Sequence, residues 1–197
     1  GVPANPKGLS KNGEWLANEL IKRKVWIDLT HSSDQTQKEL IPKLIKAKQP
    51  LLFTHTVLRK YYQAERGLAE WQIQLIKKHG GFVGIIPGED MLKDNRKVKN
   101  HQDHCDDSLG NLVKQYNELQ TQIGNQNISL GSDFNGGIRH LKMPSCNTNT
   151  SLDTKSGLWR IGQTPDIWNA MSKYGAQLPR SLDLITNSFL KSWDKVR

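Results

Sequence analysis

The sequence predicts an α/β fold with about four parallel strands and flanking helices. Short apolar runs alternate with longer amphipathic segments, which is the pattern of βα units around a parallel sheet. Turn and capping residues of the expected types lie at the ends of these segments. The chain has 197 residues, 36% of them hydrophobic and 24% charged, and this composition is typical of a globular domain with a sizeable core.

The first two units lie in the N-terminal part of the chain. A helix over about Asn12–Lys24 leads into the apolar run Val25–Thr30, which is the predicted first strand. Ser33 is suited to cap a second helix that reaches about Lys48, because a serine hydroxyl accepts a hydrogen bond from a first-turn amide. The second predicted strand is Leu51–Thr54.

The next two units follow the same order. A helix over about Leu68–His79 ends at two glycines, and Phe82–Ile86 is the third predicted strand. A helix over about Ser108–Ile123 precedes the fourth strand, Ile128–Leu130. The tail predicts two further helices, about Pro165–Tyr174 and Pro179–Val196, and two long polar segments at 87–107 and 136–164 are expected to overlie one face.

The absence of a linker predicts one domain over residues 1–197, and its sheet is expected to be incomplete. A closed eight-stranded α/β barrel needs about 250 residues, and an open four-stranded sheet would leave two exposed edges. We therefore expect the chain to need an N-terminal portion or a companion chain. A homodimer is an alternative.

The net charge of +9, from 28 Lys and Arg against 19 Asp and Glu, invites a nucleic-acid hypothesis. However, the basic residues are spread through helical segments among apolar positions, and no nucleic-acid motif accompanies them. We interpret them as solvated helix faces and predict no nucleic-acid partner. No run approaches the roughly 18 apolar residues of a membrane span, so no span is predicted either.

Polar side chains follow the predicted strands at their carboxyl ends. His31 follows the first strand, His55 the second, and Asp133 lies just past the fourth. Catalytic side chains gather at this edge of parallel sheets. Two imidazoles from neighbouring strands suit zinc, and a nearby carboxylate could orient or deprotonate a water at the metal.

Each of these residues has a simpler explanation that the pattern leaves open. A histidine after a strand often serves as a capping or hydrogen-bonded residue, and Asp133 lies in a turn-rich string in which aspartate commonly serves a tight turn. The segment His101–Asp107 contains His-x-Asp, but we interpret it as the start of a helix. Cys105 and Cys146 could form a disulfide or remain two thiols.

Five short motifs occur in a fixed order along the chain: Asp28-Leu29-Thr30-His31, Phe53-Thr54-His55, Glu65-Arg66-Gly67-Leu68, Gly80-Gly81-Phe82-Val83-Gly84 and Gly131-Ser132-Asp133-Phe134-Asn135-Gly136. Together they resemble the C-terminal half of the membrane (renal) dipeptidase family, peptidase family M19. The resemblance covers nearly the whole chain. It implies the C-terminal half of a TIM-like (β/α)8 barrel, with about four parallel strands and flanking helices.

The resemblance also implies a role for each matched residue. His31 and His55 match two ligands of one zinc in a binuclear pair. Arg66 matches the arginine that holds the substrate carboxylate, and Asp133 matches the acid/base carboxylate. The family's Arg-Asn pair reads Arg66-Gly67 here, and its Asp-Phe-Asp-Gly reads Asp133-Phe134-Asn135-Gly136, which bears on the substrate more than on the reaction type.

The implied activity is hydrolysis of a dipeptide amide bond at a site with two zinc ions. The family's His-x-Asp and bridging Glu belong to an N-terminal half, so we expect this chain to supply half of the site and to be inactive alone. The alternatives are an amidohydrolase-like activity on a lactone or an N-acyl amino acid, and a non-catalytic binding protein with a decayed site. A periplasmic or secreted location is favoured over a cytoplasmic one.

Overall fold

The computed structural model describes residues 7–92, 108–133, 162, 164–179 and 183–194. These residues form a mixed α/β structure with a parallel sheet. Its helices and strands follow one another in the order α1 Lys11–Lys22, α2 Asp34–Lys46, β1 Leu51–Thr56, α3 Glu70–His79, β2 Gly81–Ile85, α4 Glu89–Leu92, α5 Ser108–Ile123, β3 Ile128–Leu130, α6 Thr164–Lys173 and α7 Asp183–Asp194.

The sheet has three parallel strands in the order β1-β2-β3. The first predicted strand, Val25–Thr30, reduces to one parallel bridge between Asp28 and Leu52 at the outer edge of β1. The reason lies in the Asp28 side chain, whose Oδ1 accepts the amides of Thr30 at 3.0 Å and Thr54 at 3.2 Å. Such side chain to backbone bonds compete with a regular ladder.

The helix signals in the sequence are confirmed with small changes in their bounds. Ser33 caps α2, and its hydroxyl oxygen accepts the amide of Thr36 at 3.2 Å. Helix α3 ends at Gly80, whose φ of 86° lies in the left-handed region that glycine adopts freely. Helix α5 and strand β3 coincide with their predicted bounds.

The core lies between the sheet and the helices. Its largest wholly buried side chains come from β1, β2, the helices α2 to α5 and adjoining loops, and they include Leu44, Leu51, Ile76, Leu112 and Tyr116. Burial raises the pKa of Tyr116 to about 12. This packing holds the carboxyl ends of β1, β2 and β3 in fixed positions, and the candidate site lies there.

Several predictions fall on residues outside the described ranges. They include His101–Asp107, both cysteines and nearly all of the second polar segment. In the first polar segment the structure describes α4. Among the helices that the structure describes, none is long and apolar enough to cross a membrane.

Candidate metal centre

Two imidazole rings meet at the carboxyl end of the sheet. The Nε2 atoms of His31 and His55 lie 3.0 Å apart, and the ring centroids are 5.0 Å apart. His55 lies inside β1 rather than after it, because the strand extends two residues beyond its predicted end. His31 lies in a turn with φ 68°, and a left-handed non-glycine residue is uncommon.

A buried glutamine supports the turn that carries His31. Gln37 is 3% exposed, and its side-chain amide donates to the carbonyl oxygens of Ser32 at 3.0 Å and Leu29 at 3.4 Å. Gln72 in turn donates to the side-chain oxygen of Gln37. The imidazole of His31 therefore projects from a turn that helices α2 and α3 both hold.

The carboxylate of Asp133 approaches the two rings from the residues after β3. Its Oδ2 lies 3.8 Å from the Nε2 of His55, and its φ is 48°. Arg66 approaches from the segment between β1 and α3. Its Nη1 donates to the carbonyl oxygen of His55 at 2.9 Å, and its Nη2 lies 3.2 Å from the Nε2 of His31.

The structure thus brings together all four residues that the sequence singled out, although their roles stay predictions. Two neighbours were not singled out. Asp28 accepts a hydrogen bond from the Thr54 hydroxyl at 2.5 Å, and that hydroxyl lies 2.9 Å from the Nδ1 of His55. The available signal was position: Thr54 ends its predicted strand directly before His55, and Asp28 lies near the end of the first predicted strand, three residues before His31.

The environment of the two rings favours neutral imidazoles. Desolvation lowers the pKa of His31 and of His55, and the nearby Arg66 guanidinium lowers both further, while Asp133 opposes these effects. Asp28 is an exposed residue. Partial desolvation of its carboxyl nevertheless acts to raise the pKa of that group. The hydrogen bonds from Thr54 and Thr30 outweigh this, so the pKa of Asp28 lies below its usual value.

A bidentate ion pair braces the segment that carries Arg66. Arg59 donates from Nη1 and Nη2 to the two carboxylate oxygens of Asp34, each at 2.7 Å. It also donates to the carbonyl oxygens of Gly67 at 2.8 Å and Glu65 at 2.9 Å. Both flanking residues of Arg66 are therefore tied to the start of α2.

The packing also explains the glycine that follows Arg66. A Cβ atom on Gly67 would lie 2.8 Å from the Cα of Arg59 and 3.1 Å from the carbonyl oxygen of Tyr62. Both are backbone atoms, which cannot move aside as a flexible side chain could. This close approach accounts for glycine at the position where the resemblance implies asparagine.

The donor set fits a cation that takes nitrogen ligands. Two nitrogens on one tetrahedral zinc, each at about 2.0–2.1 Å, are about 3.3 Å apart, close to the 3.0 Å between the two Nε2 atoms. Neutral imidazoles have the lone pairs that such a cation needs. Within the described ranges no group of three or more His, Cys, Asp or Glu residues has metal-binding geometry, so these residues supply two nitrogen donors and one nearby carboxylate.

Comparison with known proteins gives the family. A sequence model described as membrane dipeptidase (peptidase family M19) matches residues 2–148, which is more than half of the chain. The chain belongs to this family. Dipeptidase 3 of Rattus norvegicus is 26% identical over 135 residues, covering 68% of this chain and 25% of that protein. An uncharacterized dipeptidase of Schizosaccharomyces pombe is 23% identical over 208 residues, covering 98% of this chain and 47% of that protein.

Solved structures have a similar fold. A metallopeptidase from Rhodobacter sphaeroides, liganded with a phosphinate mimic of L-Ala-D-Ala, matches with a TM-score of 0.71 at 19% identity. The match covers 100% of this chain and 50% of that one. A dipeptidase of family M19 matches with a TM-score of 0.66. This member of the membrane dipeptidase family therefore spans about half the length of the solved relatives.

Proposed function

We propose that this chain supplies half of a binuclear zinc site that hydrolyses the amide bond of a dipeptide. The observation that carries the proposal is the 3.0 Å separation of the His31 and His55 Nε2 atoms at the carboxyl end of a parallel sheet. Family membership supports a hydrolase with dipeptidase activity. The metallopeptidase from Rhodobacter sphaeroides is liganded with a mimic of a dipeptide, which supports a dipeptide as the substrate class here.

The residues around the rings have complementary tasks. When bound, zinc would polarise the scissile carbonyl and acidify a water molecule. Asp133, 3.8 Å from the His55 Nε2, would accept the proton of the attacking water and deliver it to the leaving amine. Arg66 would pair with the free carboxylate of the dipeptide, a task that suits a guanidinium fork.

The rest of the site would come from elsewhere. Two nitrogen ligands are fewer than the three protein ligands usual in a catalytic zinc site. We propose that residues 1–197 form the C-terminal half of a TIM-like barrel, and that an N-terminal portion or a companion chain supplies the remaining ligands. The open edges at Asp28 and β3 would then pair with the strands of that other half. A periplasmic or secreted location remains part of the proposal.

Zinc binding tests the ligand assignment directly. We would titrate the protein, with its N-terminal half supplied, with zinc against a chromophoric chelator and compare His31→Ala and His55→Ala with His79→Ala, whose imidazole is exposed at the end of α3. Each ligand variant should lose more than about tenfold in affinity, because each removes one of two nitrogen donors. The His79 variant should bind like the wild type.

The outcomes are distinct. Equal affinity in all three variants would contradict the metal assignment. With the N-terminal half supplied, the protein should hydrolyse dipeptides, and a chelator should abolish the activity. Turnover of lactones or N-acyl amino acids without turnover of dipeptides would favour the amidohydrolase-like alternative. Zinc binding without turnover of any of these substrates would favour a decayed, non-catalytic site.

A further inference from the structure

A chain of hydrogen bonds joins His55, one of the candidate metal ligands, to Thr54 and Asp28. The Oδ2 of Asp28 lies 2.5 Å from the Oγ1 of Thr54, which lies 2.9 Å from the Nδ1 of His55. The same Asp28 carboxylate accepts the Thr54 amide at 3.2 Å. Asp28 therefore holds the residue before His55 by both backbone and side chain.

The protons along this chain of hydrogen bonds have one consistent arrangement. An ionised carboxylate only accepts hydrogen bonds, and a threonine hydroxyl has one hydrogen to donate. The short contact to Asp28 uses that hydrogen, so the contact between Thr54 and His55 needs a hydrogen on the Nδ1 of His55. A neutral imidazole with Nδ1–H has its lone pair on Nε2.

We propose that Asp28 is a positioning residue that, through the Thr54 hydroxyl, fixes His55 in its Nδ1–H tautomer and so reserves the Nε2 lone pair for a cation. The role rests on the proposed metal function. Its structural part, the tautomer, exists in the chain without metal and can be measured there.

The contact on the other ring is consistent with this arrangement. The Nη2 of Arg66 can only donate, and it lies 3.2 Å from the Nε2 of His31. The Nε2 of His31 therefore carries its lone pair rather than a hydrogen, and in the chain without metal that lone pair accepts the Arg66 hydrogen. A cation bound between the two Nε2 atoms, which lie 3.0 Å apart, would take the place of this hydrogen bond. Both rings thus have the tautomer that a shared ion needs.

The isosteric variant Asp28→Asn tests the proposal. The side-chain oxygen of the asparagine would still accept the hydrogen bonds from the backbone amides of Thr30 and Thr54. Its NH2 group would donate a hydrogen bond to the Thr54 hydroxyl. That hydroxyl would then donate to the Nδ1 of His55 and shift the ring toward the Nε2–H tautomer. The measurement is the pair of side-chain 15N shifts of His55 in the metal-free chain, assigned with His55→Gln.

The expected results combine the tautomer with zinc affinity. Asp28→Asn should raise the Nε2–H fraction of His55 and lower zinc affinity by about 10–100-fold, the range for groups that orient a ligand. Asp166→Asn, the same change on an exposed residue of α6, should alter neither. Thr54→Ser keeps the hydroxyl and should retain the wild-type tautomer and affinity, whereas Thr54→Val should lose both.

An unchanged tautomer fraction in Asp28→Asn would overturn the proposal. If that variant fails to fold, as judged by circular dichroism, equal tautomer fractions in Thr54→Ser and Thr54→Val would overturn it instead. The two proposals fail separately. The Nδ1–H tautomer in the metal-free chain, together with no zinc affinity once the N-terminal half is supplied, would contradict the metal function alone. Zinc affinity of the reconstituted protein with an Nε2–H tautomer in the metal-free chain would contradict the positioning role alone.

Discussion

Replacing Arg59 should destabilise the fold and loosen the segment that presents Arg66. The guanidinium makes two hydrogen bonds to the Asp34 carboxylate and two to backbone carbonyl oxygens, all between 2.7 and 2.9 Å. In Arg59→Ala the Asp34 carboxylate loses both of its hydrogen bonds from the guanidinium. The carbonyl oxygens of Glu65 and Gly67 lose their side-chain donor. The backbone bond from the Arg59 amide to Leu68 at 2.8 Å remains.

The magnitude follows from burial and geometry. Hydrogen bonds to charged groups contribute about 1.5–3 kcal/mol each when buried. The Arg59 and Asp34 side chains are 24% and 23% exposed, so water solvates part of what the substitution releases and screens the charge. We expect Arg59→Ala to lower the free energy of unfolding by about 2–3 kcal/mol. Arg59→Lys keeps the positive charge but cannot form the bidentate pair of hydrogen bonds, and it should lower the free energy of unfolding by about 1–2 kcal/mol.

Urea unfolding followed by tryptophan fluorescence measures these differences, provided that the slope with denaturant is unchanged. Asp34→Asn and the double variant complete a cycle, in which a coupling free energy of about 1–2 kcal/mol is expected between Arg59 and Asp34. Lys60→Ala is the control, because Lys60 forms an ion pair with Glu118 in which its own side chain is 58% exposed. An effect of Arg59→Ala no larger than that of Lys60→Ala would refute the reasoning.

Two further predictions concern glycine and Arg66. Gly131→Ala should lower the free energy of unfolding by more than about 2 kcal/mol, because the added Cβ would lie 2.0 Å from the Thr54 carbonyl oxygen. At Gly80 a Cβ meets nothing within 4 Å, so Gly80→Ala should lower the free energy of unfolding only by the backbone strain of its φ of 86° and ψ of 150°, about 1–3 kcal/mol. Thermal unfolding compares the two variants, and equal losses would contradict the packing argument. In the reconstituted enzyme Arg66→Ala should impair turnover of dipeptides with a free carboxylate more than that of their esters, and equal impairment would argue against carboxylate binding.

Much of the fold was predictable because local signals agreed with the tertiary structure. The serine cap at Ser33, the glycine stop at Gly80 and the bounds of α5 and β3 follow from capping chemistry and periodicity. The convergence of the candidate residues followed from one rule, that parallel strands end at the same edge. Family resemblance added Arg66, which no strand end carries.

The remaining differences arise from side chains that act on the backbone. The prediction ended the second strand at Thr54, but the parallel ladder continues to Thr56, which pairs with Ile85. The first predicted strand forms only one bridge in the described structure. The Asp28 carboxylate accepts hydrogen bonds from the amides of Thr30 and Thr54, which a regular ladder would otherwise use. Hydrophobic periodicity carries no information about such a choice, since it depends on a partner from another strand.

Backbone strain separates the candidate site from ordinary turns. Four non-glycine residues in the described ranges have positive φ, namely Lys24, His31, Lys48 and Asp133. Lys24 and Lys48 each lie two residues beyond a helix, where a left-handed residue commonly ends the helix. His31 and Asp133 follow no helix, and a conformation of this kind costs about 1–3 kcal/mol at a residue other than glycine. Strain of this size persists where the surrounding structure holds it, and here it aims one imidazole and one carboxylate at the same point.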